Sequence, residues 1–132
     1  MRPSIARKPP ELASLTPVEV AARLRHLPGL VFFDTAGNVP SNYGNPVSII
    51  AAEPRGVLEG SIHDEADRAR LRRAWEAGAA SPAADRGFPL GGLCGWVDYE
   101  GDFVFGDYPE MLVHTDDGGW HELGGLSQRL RE

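Results

Sequence analysis

Cysteine occurs once in the chain, at Cys94, so an internal disulfide and a cysteine-rich metal knot are both excluded. That thiol lies in an apolar run, where a free cysteine packs as a small hydrophobe. As a nucleophile it would need a neighbouring base, and the sequence places neither His114 nor His121 beside it. No apolar stretch approaches the ~20 residues that a bilayer-spanning helix needs. The basic start, MRPSIARKPPEL, is not followed by the apolar segment of a secretory signal, so the expected location is the cytoplasm. Positive charge is in the minority: 13 Lys and Arg face 19 Asp and Glu, a formal net charge of −6. That balance argues against nucleic acid as a partner. Arg68, Arg70, Arg72 and Arg73 do cluster, but Asp64, Glu65, Asp67 and Glu76 surround them, which reads as a solvated helix face.

The motifs of common chemistries are missing as well. There is no HExxH, EF-hand loop or GxSxG elbow. Gly91-Gly92-Leu93-Cys94-Gly95 lacks the Lys-Ser/Thr ending of a phosphate-binding loop and reads as packing glycine in a strand. His63-Asp64-Glu65, and His114 with Asp116, Asp117 and His121, have metal-ligand residue types. The second group flanks an apparent hairpin turn, where solvated carboxylates are the simpler reading.

What is present is organised around residues 29–54, GLVFFDTAGNVPSNYGNPVSIIAAEP. Two apolar runs, 30–33 and 47–52, flank a loop rich in Gly, Pro and Asn, which reads as two buried strands and a shaped connection. Before them, residues 1–15 are basic and hold three prolines, which predicts an extended arm. Thr16-Pro17-Val18-Glu19 reads as a helix start with a capping box. Val20, Leu24 and Leu27 recur at helical spacing, and Leu27-Pro28-Gly29 is the expected stop.

Beyond the centre, 53–56 reads as a turn and 57–59 as a short strand. Asp64 can cap a second helix running to about Ala77, with Leu71, Ala74 and Trp75 as its apolar stripe and Gly78 at its C-cap. Residues 79–86 read as an exposed connection. In 88–99, FPLGGLCGWVDY, Leu93, Gly95, Val97 and Tyr99 would face one side of a strand, and Cys94, Trp96 and Asp98 the other. The glycines there predict close approach of another backbone. Residues 103–105 continue the β pattern. Residues 111–114 and 120–123 flank 115–119, a hairpin signal. The expected class is α+β, with two helices beside a largely antiparallel sheet.

One pair of residues leaves a functional question open. Asp34-Thr35 ends the first strand, where the two can satisfy loop backbone or bind the amino group of a small amino-acid-like ligand.

Three stretches, in order, resemble the N-terminal region of component I of the chorismate-utilising synthases, aminodeoxychorismate (p-aminobenzoate) synthase and anthranilate synthase. Phe32-Phe33-Asp34-Thr35 sits where the family has Leu-Leu-Glu-Ser, after a helix and a Leu-Pro-Gly-Leu step. Ser48-Ile49-Ile50-Ala51-Ala52-Glu53-Pro54 is similar to the family's S-I-hydrophobic-A-x-x-P strand. The FPLGGLCGWVDYE stretch of 88–100 is similar to its F-x-G-G-x-x-G-hydrophobic-x-x-Y-D/E segment. GDFVFGDY, 101–108, inclines the resemblance to the aminodeoxychorismate branch.

The resemblance covers roughly 15–123 and implies an N-terminal arm over 1–15, a component I N-terminal-like domain over 16–123, and a tail or truncated connection over 124–132. It implies a part in aminating chorismate for folate biosynthesis, with ammonia from a glutamine amidotransferase subunit. The family's Mg²⁺ and chorismate site lies in a large catalytic domain without counterpart here, so no catalytic residue carries over. In anthranilate synthases the Leu-Leu-Glu-Ser segment helps bind tryptophan as feedback inhibitor, and in some p-aminobenzoate synthases tryptophan sits there structurally. Phe33, Asp34 and Thr35 are thereby implied as ligand residues, with Asp for Glu and Thr for Ser. The alternatives are a stand-alone tryptophan-like sensor or adaptor module, and the equivalent domain of anthranilate synthase.

Overall fold

A computed structural model describes residues 7–34, 47–78, 91–116 and 118–131. The architecture is α+β: among the described residues there are two α-helices and seven strands, the strands divided between two antiparallel sheets where the sequence reading expects one. The first helix, α1 (Pro17–Arg23), opens as its sequence demands. Thr16 Oγ1 accepts the Glu19 N–H at 3.2 Å, and the Glu19 carboxylate accepts the Thr16 N–H at 3.4 Å. The helix ends at Arg23, earlier than the Pro-Gly stop suggests, and Leu27 reaches the core from the turn that follows.

The first sheet has the order β1-β2-β6-β7, built from β1 (Val31–Asp34), β2 (Val47–Ala51), β6 (Met111–Thr115) and β7 (Gly119–Leu123). The second has the order β3-β5-β4, from β3 (Gly56–Ser61), β5 (Asp102–Tyr108) and β4 (Gly92–Val97). Phe33 pairs with Ile49 and Asp34 with Ser48 in the first sheet; Gly95 pairs with Phe105 in the second. Thr115 and Gly119 close the expected β6–β7 hairpin, with Gly119 at φ 71°.

Strand alternation gives the first sheet two apolar faces. On one, Val20, Leu24 and Leu27 pack with Ile50, Leu112 and Trp120, and every one of them is buried. Burying a leucine such as Leu24 completely contributes about 1.5–3 kcal/mol. On the other face Ala51, Met111 and Val113 meet Tyr108, which reaches across from the end of β5.

The described parts of both end segments, 7–15 and 124–131, carry structure. Residues 7–15 are docked: Arg7 bridges β7 at Glu122, and Leu12, in a 3₁₀ turn (Pro10–Leu12), is fully buried in the α1 core. Residues 126–131 of the expected tail form a 3₁₀ segment (Leu126–Arg131), with Leu126 and Leu130 packed on the same core. An arm or a tail was expected because prolines and sparse apolar residues dominate these segments. Among the described residues of these segments, Leu12, Leu15, Leu126 and Leu130 pack into the cluster that also holds the α1 stripe.

The second helix, α2 (Glu65–Gly78), starts after Asp64, whose carboxylate accepts the Asp67 N–H at 2.9 Å. Its stripe is only half used: Leu71 and Ala74 are partly covered and Trp75 is exposed. Among the described residues no helix is long and apolar enough to cross a membrane.

Candidate functional site

Where β1 passes the second sheet, a cleft of about 490 Å³ opens between them. One wall is the edge of β1 and its approach, from Gly29 to Phe33. The opposite wall comes from β4 (Cys94, Gly95, Trp96) and β5 (Val104, Gly106, Tyr108), with Pro54 and Val57 at one end. The volume exists because that wall is poor in side chains. On the cleft-facing positions Gly106 contributes none, and Cys94 a small one.

Two contacts set the separation of the walls. Tyr108 donates its hydroxyl to the Gly29 carbonyl at 2.7 Å. Gly29, at φ 69°, sits so near Pro54 that a Cβ there would lie 2.6 Å from Pro54 Cδ. The glycine in Leu27-Pro28-Gly29 therefore serves the cleft as well as the turn.

Close approach at Gly95 is as the sequence predicts, because a Cβ there would collide with the Val104 carbonyl and come within 2.7 Å of Phe105 Cα. Gly92 differs. A Cβ would find nothing within 4 Å, and its glycine serves a backbone φ of 154° instead.

Chemically the cleft is apolar and uncharged. Burial pushes the Cys94 thiol above its ordinary value. Burial, then the neighbouring Cys94, push the Tyr108 phenol up as well. Both stay protonated at neutral pH, and no carboxylate, lysine, arginine or histidine lines the cleft among the described residues. Phe33 and Trp96 are 49% and 63% exposed, an invitation to a flat apolar group rather than a charged one. A site so composed suits apolar contact, and among the described residues that line it there is no general base or pair of carboxylates.

Of the residues implied by the resemblance, Phe33 and Asp34 are separated by the pleat. Phe33 reaches the cleft. Asp34, next along the strand, points to the opposite face, where its carboxylate accepts the Ser48 hydroxyl at 2.7 Å. Thr35 lies outside the described residues, as do the Asn-rich loop, the 79–86 connection and Asp117.

The candidate metal groups do not converge: among the described residues no three His, Cys, Asp or Glu side chains come together. His114 instead packs edge-on against Trp120, with ring centroids 5.0 Å apart, and His121 Nε2 lies 3.3 Å from Thr115 Oγ1. Sequence reasoning missed Trp96, Tyr108 and Val57 as cleft residues. The even spacing of Cys94, Trp96, Val104, Gly106 and Tyr108 on two paired strands was the available signal. Without the pairing it names a face but not what lies opposite. Comparison of the chain with protein-family models, with curated proteins and with solved structures found no match in any of the three.

Proposed function

We propose that this chain is the N-terminal, non-catalytic domain of an aminodeoxychorismate (p-aminobenzoate) synthase component I-like protein, in the amination of chorismate for folate biosynthesis. On this reading its two-sheet α+β arrangement is that of the anthranilate synthase component I N-terminal region. The cleft beside Phe33 carries the proposal. An apolar site able to take an aromatic ring adjoins the strand that resembles the family's tryptophan-contacting segment. The ring of a tryptophan-like ligand would lie against Phe33 and Trp96, and the walls would hold it without reacting with it. Chorismate and Mg²⁺ would belong to a separate catalytic domain, with a glutamine amidotransferase subunit as ammonia source.

The test is deletion of the gene in its host. The proposal expects a growth requirement met by p-aminobenzoate. A requirement met by anthranilate or tryptophan would move the chain to the sister branch, and no aromatic requirement at all would overturn the reading.

A second reading, a stand-alone amino-acid sensor, would use the same cleft. Magnitudes separate the two. A fully buried aromatic ring contributes roughly 1.5–3 kcal/mol, less in a cleft open on one side, and association entropy opposes it. Binding near millimolar is therefore expected of a domain that needs a companion, and micromolar binding of a sensor.

A further inference from the structure

The second sheet has another apolar site on its other face. Strand alternation turns Leu93 and Phe105 away from the cleft and toward α2. There, with Ile62, Leu71 and Trp75, they floor an open groove of about 470 Å³. Trp75 is 66% exposed, an unusual state for the residue type that most often anchors protein interfaces. Leu71 and Trp75 are four apart on α2, and so are Arg68 and Arg72, which places an apolar stripe beside a basic rim.

The rim arginines differ from their neighbour. Arg70 is held by Asp67 at 2.5 Å and by the Glu59 carbonyl at 3.0 Å. Arg68 donates once, to the Ile62 carbonyl at 2.8 Å, and forms no ion pair among the described residues. Arg72 has no hydrogen-bond or ion-pair partner among the described residues.

We propose that this groove docks an acidic segment of a partner protein, which inserts one aromatic or branched apolar side chain onto the floor while flanking carboxylates meet Arg68 and Arg72. Charge complementarity decides the chemistry. An apolar floor alone would accept any hydrophobic side chain, but two guanidiniums without a carboxylate partner among the described residues select for carboxylates. The chain is acidic overall, which disfavours general attraction of such a segment, and the basic rim sets where it docks. A groove open along its length suits a side chain projecting from a peptide better than an enclosed small molecule.

The experiment is a ¹⁵N NMR titration of the chain with acetyl-Glu-Asp-Phe-Asp-Glu-amide. Control peptides carry alanine for the phenylalanine, or lysines for the acids. Shifts are expected at the Trp75 indole N–H and at the Leu71 and Leu93 amides. Each control should bind about fivefold more weakly or worse, as should Arg72→Glu, whereas Arg73→Glu, outside the groove, should change affinity by less than about twofold. The spectrum of each variant reports its fold directly. The proposal is overturned by an unmoved Trp75 indole up to about 5 mM peptide, by equal binding of the lysine peptide, or by full affinity in Arg72→Glu. Equal affinity for N-acetyl-phenylalanine would also overturn it, because the groove would then be a small-carboxylate pocket.

Discussion

The Glu122 carboxylate on β7 is completely buried, and the Arg7 guanidinium meets it at 2.5 Å. The same carboxylate accepts the Ser127 N–H at 3.1 Å and the Ser127 hydroxyl at 2.7 Å, while Arg7 and Glu122 exchange main-chain hydrogen bonds of 2.9 Å. One acidic side chain thus joins the segment before α1 to the segment after β7, and Arg7 occupies part of the edge of β7. Glu122→Ala leaves the Ser127 N–H buried without its acceptor, which costs about 1–3 kcal/mol. Urea unfolding should show that loss; a midpoint equal to that of the unchanged protein would show that the two ends are held by other contacts.

The glycines of β4 and β3 separate two effects. Gly95→Ala drives a methyl into the Val104 carbonyl and should cost about 1–3 kcal/mol. Gly56→Ala, with nothing within 4 Å and no unusual φ, should be neutral or more stable by up to about 1 kcal/mol. Equal unfolding midpoints for both variants would refute the close approach of β4 and β5 at Gly95.

Acid should weaken the packing of α2 on β3. The Arg70 hydrogen bond, and then the Ser61 N–H, hold the Asp67 carboxyl below its usual range. A carboxyl with a depressed pKa in the folded state contributes stability above its unfolded pKa of about 4 and loses it as pH falls further. Glu11 is shifted the same way, by its own main-chain N–H first and then by Ser127 and Arg7. Stability measured from pH 6 to pH 2 should therefore drop below about pH 4, and Asp67→Asn should flatten part of that drop. An unchanged pH profile in the variant would mean that Asp67 adds nothing.

Much of this structure was legible from local chemistry. The Thr16–Glu19 capping box, the β6–β7 hairpin and the runs that became β1 and β2 are each decided within a few residues. What was not legible depends on contacts distant in sequence. Nothing near Asp34 says that its carboxylate meets Ser48 on the face away from Phe33. Nothing near Tyr108 says that its hydroxyl reaches Gly29. The cleft arises from two sheets meeting, and the sequence reading had merged them into one. The docking of residues 7–15 is hidden for the same reason: Arg7 meets Glu122 and Ser127, more than a hundred residues away, and Leu12, just after two prolines, packs on other elements.

Cys94 tests the character of the cleft walls. With its thiol pushed up by burial, alkylation by iodoacetamide at pH 7.5 should be at least about tenfold slower than for glutathione, rising as pH passes the ordinary thiol range. Fast labelling at neutral pH would reveal an activated thiol and reopen a catalytic reading.

On the proposed reading the chain by itself should not aminate chorismate when given ammonia and Mg²⁺, because that chemistry would belong to a separate catalytic domain. Product above a heat-killed control would contradict this.

The central claim is that the cleft between β1 and the second sheet takes the ring of an aromatic amino acid without reacting with it. Titrating L-tryptophan into the ¹⁵N-labelled chain tests it most directly. The account expects shifts at Phe33, Gly95, the Trp96 indole N–H and Gly106, saturating near millimolar. Trp96→Ala should weaken binding severalfold, while Asp34→Asn, on the far face of the sheet, should leave it within about twofold. Micromolar binding at the same residues would keep the cleft and favour the sensor reading. The claim fails if tryptophan up to about 10 mM moves none of these signals, or if the shifts gather at residues outside the cleft.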